Sequence, residues 1–441
     1  MWRLLALGLV LTGAARADRR LSDADLKRKN EGGYVTAVPL AAYSVDFGFG
    51  AGARAYYYWN GHRDDPRFAR TPYLLRTFLN VFASTEGLQY HWLDVDAPQV
   101  AHSDIRIRAQ LILARNINSN YFGFDDAGRG RLQFPGATRT FDRYKDYAAA
   151  QRQLVAGEAY TKYDQYDLLR PAMILTAEHS YRNRTVRVLG GVGFSYARVK
   201  DYTGRRVDAT AGDGSETTAV EATTRLRTDC DRDVLVGCRG GRDNVIRLGL
   251  AYDTRDFEPD PNSGVYADLS VEIGTVALGS EFNYLRGLFA VRGFYSPFPD
   301  RADLVLAGRV LTQIQSSGTP FYGMDLMPFT EDPRTGLGGH RTIRGYRQSR
   351  YVDHVMSAVS AEIRWTFART TIWRQKLAFI LVPFVDAGHA FDGLGDIGIH
   401  DWRPSFGGAF RFSWNLATLG TFEYGKSREG SGIYVNFGHM F

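Results

Sequence analysis

The chain has 441 residues, carries a formal charge of +6, and is 44% hydrophobic with a mean hydropathy of −0.28. So small a charge surplus does not argue for nucleic acid, and the lack of any run of eighteen apolar residues excludes a helical membrane span. The 13% aromatic content, with 25 Tyr, 27 Phe and 47 Gly, is instead what a transmembrane β-barrel needs, because rings girdle both membrane interfaces.

In chain order, residues 1–17, MWRLLALGLVLTGAARA, combine a basic residue near the start, an apolar run from Leu4 to Leu11, and small residues at Ala15 and Ala17. This reads as a secretory signal peptide, whose removal takes Arg3 and Arg16 away. As a lone helical anchor the apolar run is too short. Residues 18–34 form a short, charged periplasmic segment. Strand-like VTAVPLAAYSVDFGFGAGARAYYYW follows at once, so residues 35–441 are expected to form one barrel. Sixteen strands would leave roughly 26 residues for each strand and its connection, a workable figure for this class, as fourteen or eighteen would be. Long polar connections are expected at 135–146, 203–242 and 316–354.

Cys230 and Cys238, in TDCDRDVLVGCRG, are positioned to close a small disulfide loop in an oxidising compartment. Beside them Asp229, Asp231 and Asp233 alternate, but no turn glycine or distal glutamate completes a calcium loop, so they read as solvated acids balanced by Arg225, Arg227 and Arg232. VIRLGLAYD sets Ile246, Leu248, Leu250 and Tyr252 against Arg247, Gly249, Ala251 and Asp253. VYADLSVEIG sets Val265, Ala267, Leu269, Val271 and Ile273 against Tyr266, Asp268, Ser270 and Glu272. These are strands with one apolar and one polar face, paired as a hairpin across the turn formers of RDFEPDPNSG. Arg292 to Phe294, within FAVRGFYSPF, reads as strand.

LGGHRTIRGYRQSRYVD, Leu337 to Asp353, breaks the pattern with four arginines, a histidine and a Gly-Gly pair. SAVSAEIRWTF resumes it, with Val359, Ala361, Ile363, Trp365 and Phe367 opposite Ser360, Glu362, Arg364 and Thr366. FGGAFRFSW aligns Phe406, Phe410, Phe412 and Trp414, and GIYVNFGHMF aligns Ile433, Val435, Phe437 and Phe441 as a closing strand. GTFEYGKS, Gly420 to Ser427, matches a phosphate-loop pattern, but Phe422 and Tyr424 alternate as in a strand and no helix can follow, so nucleotide binding is not expected.

LGGHRTIRGYRQSRYVD, AEIRW and PFVDAGHAF resemble, in order, the C-terminal signature of the bacterial surface-antigen family, the outer-membrane barrels of the BamA/TamA superfamily. AYDTRDFEPDPNSGVYADLS, VPLAAYSVDFGFGAGA and NYFGFDD resemble other strands of that family. The resemblance implies a plugged all-β, antiparallel transmembrane barrel with a weak seam between first and last strands. It also implies that the Arg-Gly-Tyr triplet lies at the tip of a loop folded into the lumen, with Arg344 meeting acids from the wall, Gly345 making the turn and Tyr346 packing. Glu362 and Asp386 are the implied acidic partners, and Phe437 and Phe441 the C-terminal barrel signal. A guanidinium fork suits two carboxylates better than an ammonium does. The family's large members carry periplasmic repeats, for which this sequence shows no room, and His439 stands where an aromatic is usual.

The expected function is non-enzymatic insertion or translocation of proteins or lipids at the outer membrane, with no catalytic, metal or cofactor site. The alternatives are a passive or gated pore for small solutes and a barrel hydrolase. The expected partners are outer-membrane lipids including lipopolysaccharide, client proteins or a separate periplasmic partner, and the barrel-assembly machinery for its own insertion, with no nucleic acid.

Overall fold

The computed structural model describes residues 29–441 apart from positions 70, 72, 101–102, 125–127, 183–184, 257–259, 299–302, 332–333, 373–374, 415–417 and 438. The expected leader at 1–17 and most of the expected charged segment at 18–34 lie outside the described residues.

Among the described residues sixteen strands form one closed antiparallel barrel in sequential order. The first eight are β1 Gly33–Ser44, β2 Gly48–Trp59, β3 Leu75–Ser84, β4 Leu88–Ala97, β5 Ile105–Asn120, β6 Gln165–Tyr181, β7 Val186–Lys200 and β8 Gly240–Asp253. The rest are β9 Gly264–Gly274, β10 Tyr284–Tyr295, β11 Leu304–Gln315, β12 Val355–Ile372, β13 Gln375–Phe391, β14 Arg403–Trp414, β15 Thr418–Ser427 and β16 Ser431–Phe437. The period-two pattern explains why the sheet closes this way, since an apolar outer face belongs in lipid and a charged inner face in the lumen. In β8, Leu248 is 48% exposed on the outer face and Arg247 6% exposed on the inner one. β8 and β9 pair as the expected hairpin, Ile246 opposite Ile273 and Tyr252 opposite Ala267. Arg292 to Phe294 lies within β10, and Gly420 to Ser427 within β15.

The connections at one barrel end are mostly short, as between Tyr181 and Val186 or Trp414 and Thr418, the longest running from Trp59 to Leu75. At the other end run 121–164, 201–239 and 316–354. Outer-membrane barrels place short turns in the periplasm and long loops outside. The first two long loops fold over the outer mouth as a cap, with helices α1 Tyr144–Arg152 and α2 Arg225–Asp231 and a small hairpin, Arg206–Thr210 against Glu216–Val220. Phe122, Phe134, Phe141, Tyr147, Tyr160 and Tyr163 give the cap its own aromatic core. Cys230 and Cys238 are joined by a disulfide within it, with Cys230 on α2 rather than in irregular loop.

The third long loop, 316–354, turns inward. Its Met327, Phe329, Leu337, Ile343, Tyr346 and Tyr351 bury against lumen-facing Leu288, Leu311 and Met356, so this part of the lumen is packed like the core of a soluble protein. One element departs from the sequence pattern. Alternation through GIYVNFGHMF predicts strand to Phe441, but β16 ends at Phe437. Met440 and Phe441 instead bury among Phe294, Val305 and Ala307 of β10 and β11. An alternating segment remains strand only while a neighbour accepts its hydrogen bonds, and here the apolar end finds burial inside the barrel instead.

Candidate functional site

Gly338, Gly339 and Gly345 hold φ angles of 108°, 76° and 96°, the left-handed region that favours glycine, and they fold the loop sharply enough to carry Arg344 to the barrel wall. Contact fixes Gly345 further. A Cβ there would lie 2.9 Å from the Ser427 nitrogen, and one on Gly425 would lie 2.7 Å from the Arg344 Cβ. The loop backbone therefore rests directly on the inner face of β15, which is possible only because both residues lack a side chain.

Arg344 is wholly buried. Its Nε and Nη2 donate to the two Asp386 oxygens at 2.8 and 3.0 Å, and Nη1 donates to Glu362 Oε1 at 3.0 Å and Glu423 Oε1 at 3.2 Å. The guanidinium lies over the Phe384 ring, 3.2 Å from its centroid. Burial by itself would lower the Arg344 pKa, and Asp386, Glu423 and Glu362 more than reverse this, so it rises above its ordinary value. Arg411 of β14 donates to Glu362 at 2.8 and 2.9 Å and to Glu423 at 3.1 Å, while Arg364 Nε donates to Glu362 Oε2 at 2.9 Å. Three guanidinium groups thus share three carboxylates drawn from β12, β13 and β15. Balanced charge, with each carboxylate meeting at least one guanidinium, is what lets such a cluster lie buried.

The structure brings Arg344, Glu362 and Asp386 together and places Tyr346 in the loop core, edge-on to Tyr351 at 5.4 Å. Sequence reasoning missed Glu423, Arg411 and Arg364 as members of the same cluster. The available signal was alternation in TFEYG, which sends Glu423 inward between outward Phe422 and Tyr424. Arg350 is a second buried anchor, with Nε donating to Glu429 Oε2 at 2.8 Å and Nη1 to the Gly128 carbonyl of the cap. Phe441 lies apart from Phe437, off the strand, where its main-chain oxygen accepts from Arg364 Nη2 at 3.0 Å.

The seam between β1 and β16 lies beside the cluster. Among the described residues these strands pair only at Tyr43 with Val435 and Ser44 with Tyr434, whereas β1 pairs with β2 along all twelve of its residues. The lumen loop touches both sides. Gly345 N donates to Tyr434 Oη at 3.0 Å on the last strand, and Gln348 N donates to Asp46 Oδ1 at 2.9 Å in the first hairpin turn. Arg347 adds an ion pair to Asp46 at 3.5 Å. Below the seam the tail docks through His439, whose ring nitrogens meet Arg411 Nη1 and Asp260 Oδ1, each at 2.8 Å, and whose carbonyl accepts from Arg341 at 3.2 Å.

Residues 163–440 match the profile of the Omp85 superfamily domain, and residues 14–74 match a domain of unknown function. No curated protein gives a significant match. Among solved structures the fold is similar to BamA from Haemophilus ducreyi lacking POTRA domains 1–3, at TM-score 0.54 and 12% identity, covering 93% of this chain and 70% of that one. CdiB from Escherichia coli matches at TM-score 0.49 and 10% identity, over 93% of this chain and 68% of that one. CdiB from Acinetobacter baumannii matches at 0.47 and 11%, over 93% of this chain and 60% of its own length.

Proposed function

The chain belongs to the Omp85 superfamily and is an outer-membrane β-barrel, and from that premise we propose that it inserts or translocates proteins or lipids by opening the seam between β1 and β16. The observation that carries this is the two-residue seam, bridged from inside by one loop. A strand edge with unpaired backbone groups is a template for another strand, and most of β1 presents such an edge. The loop then acts as the clasp, fixed to the wall by the Arg344 cluster and to both seam edges by Tyr434 and Asp46. The reading involves no catalytic step. Its partners are client chains or lipids at the seam, the surrounding lipopolysaccharide leaflet, a separate periplasmic protein that presents clients, and the assembly machinery that inserts the barrel itself.

The test is a reversible lock. With Tyr43→Cys and Val435→Cys, which face each other across the seam, oxidation should close it and reduction reopen it. Quantifying the outer-membrane proteins and lipids of cells relying on this variant should show a subset depleted only under oxidation. An unchanged envelope in both states would overturn the reading. A steady single-channel current from the wild type, unaffected by the lock, would favour the solute pore instead.

A further inference from the structure

The lumen loop packs toward β8–β15 and leaves a cavity of about 460 Å³ against β1–β5, within the usual size of a small-molecule site. Barrel lumens are ordinarily polar. This one presents Tyr56, Phe78, Phe82, Tyr90 and Trp92, with Phe78 and Trp92 packed edge to face at 4.6 Å and Tyr56 beside Phe78 at 5.5 Å. The rest of the lining carries Arg54, Arg76, Arg108 and Arg341 and no acidic side chain. Arg76 and Arg108 are held by Asp94, at 2.8 and 2.6 Å, which is fully buried on the inner face of β4. Arg54 differs. It donates to Asn80 Oδ1 at 3.0 Å and Tyr56 Oη at 3.3 Å, and no carboxylate lies within ion-pair distance of it among the described residues.

Rings facing a cavity favour an apolar chain, and a guanidinium without a counter-charge favours an anion joined to that chain. Leu40 and Ala42 of β1 and Asn436 of β16 line the same space, so it opens toward the seam and the bilayer beyond. We propose that this cavity binds one anionic single-chain amphiphile, a fatty acid or a lysophospholipid, with its chain along Phe78 and Trp92 and its head at Arg54. For the route in, though not for the site, the inference rests on the seam reading above.

Trp92 supplies the readout. The purified full-length barrel in phosphatidylcholine nanodiscs is titrated with a fatty acid, and separately with a lysophospholipid, each brominated at mid-chain. The emission of Trp92 is taken as the difference between wild type and Trp92→Phe. Saturable quenching by one equivalent is expected from at least one probe, the more effective probe identifying the head group. Arg54→Gln should weaken it about tenfold, as the loss of one charge-assisted contact would. Trp92 emission unmoved by either probe, equal titration by Arg54→Gln in a barrel that keeps its folded gel mobility, or displacement of the probe by an uncharged apolar peptide would each overturn the proposal. Oxidising the seam lock should slow the onset of quenching without changing its end point. An unchanged onset removes the seam as the route and leaves the site standing.

Discussion

Arg344 holds its place through four hydrogen bonds to three carboxylates, and each donor has one geometry. Arg344→Ala takes the guanidinium away from Asp386 and leaves Glu362 and Glu423 to Arg411 and Arg364 beside a void, and breaking a buried ion pair from one side costs about 3–5 kcal/mol. The folded barrel should lose heat resistance on gels, Arg344→Lys should recover part of it, and Arg347→Ala, which removes one 3.5 Å ion pair to Asp46 and a contact over the Tyr144 ring, should lose less. Gly345→Ala should fail as badly as Arg344→Ala despite removing no charge, because both its φ and the 2.9 Å approach to Ser427 forbid a methyl. Equal melting of wild type, Arg344→Ala and Glu362→Gln would leave the cluster without a structural role. His439 makes a separate, pH-dependent prediction. Burial, reinforced by Arg364 and Arg411, pushes its pKa from 6.5 down to about 3, and Asp260 offsets this only in part. The undocked tail therefore takes up a proton near pH 6.5 while the docked tail does not. Docking is at full strength above that value and weakens as pH falls toward about 3. A fluorine label at Met440→Cys should report release across that window, and His439→Gln should abolish the pH dependence.

Among the elements, the strands were the most legible, because a one-residue period error would put every arginine of the wall into lipid. Alternation alone places Glu362 inward, but it could not single out Asp386, since PFVDAG is apolar on both faces. The structure gives the reason: Phe384 faces inward because it carries the Arg344 guanidinium. Glu423 and Arg411 stayed hidden because their partners lie far along the chain, where no spacing rule reaches. The inward tail was illegible for the opposite reason, a local pattern that continued past the point where the sheet stopped. The cap yields its own prediction. The Cys230–Cys238 link closes a loop with a sequence separation of 8 and should stabilise the cap by roughly 2–3 kcal/mol. A membrane-impermeant thiol reagent should label intact cells only after reduction, and labelling without reduction would place these thiols elsewhere or leave them unbridged. For the lumen loop, the wild type should be nearly silent in planar bilayers, and Arg344→Ala combined with Arg350→Ala should raise conductance by freeing both anchors.

Across the whole molecule, the Arg344 partners lie 18, 42 and 79 residues further along the chain, whereas the seam joins Tyr43 to Val435, near opposite ends of the sequence. Contacts between near neighbours in sequence form first, because closing a long loop costs entropy before any contact rewards it. The loop is therefore not stoppered into a finished barrel. It is available before β12, β13 and β15 find their places, and it presents one guanidinium that all three must reach. Sequence separation predicts that the second half of the barrel assembles around it and that the ends meet last, over the smallest shared edge among the described residues. A barrel that closes last and weakest at one edge can be reopened there without undoing the rest, so its order of assembly already prescribes where it gives way.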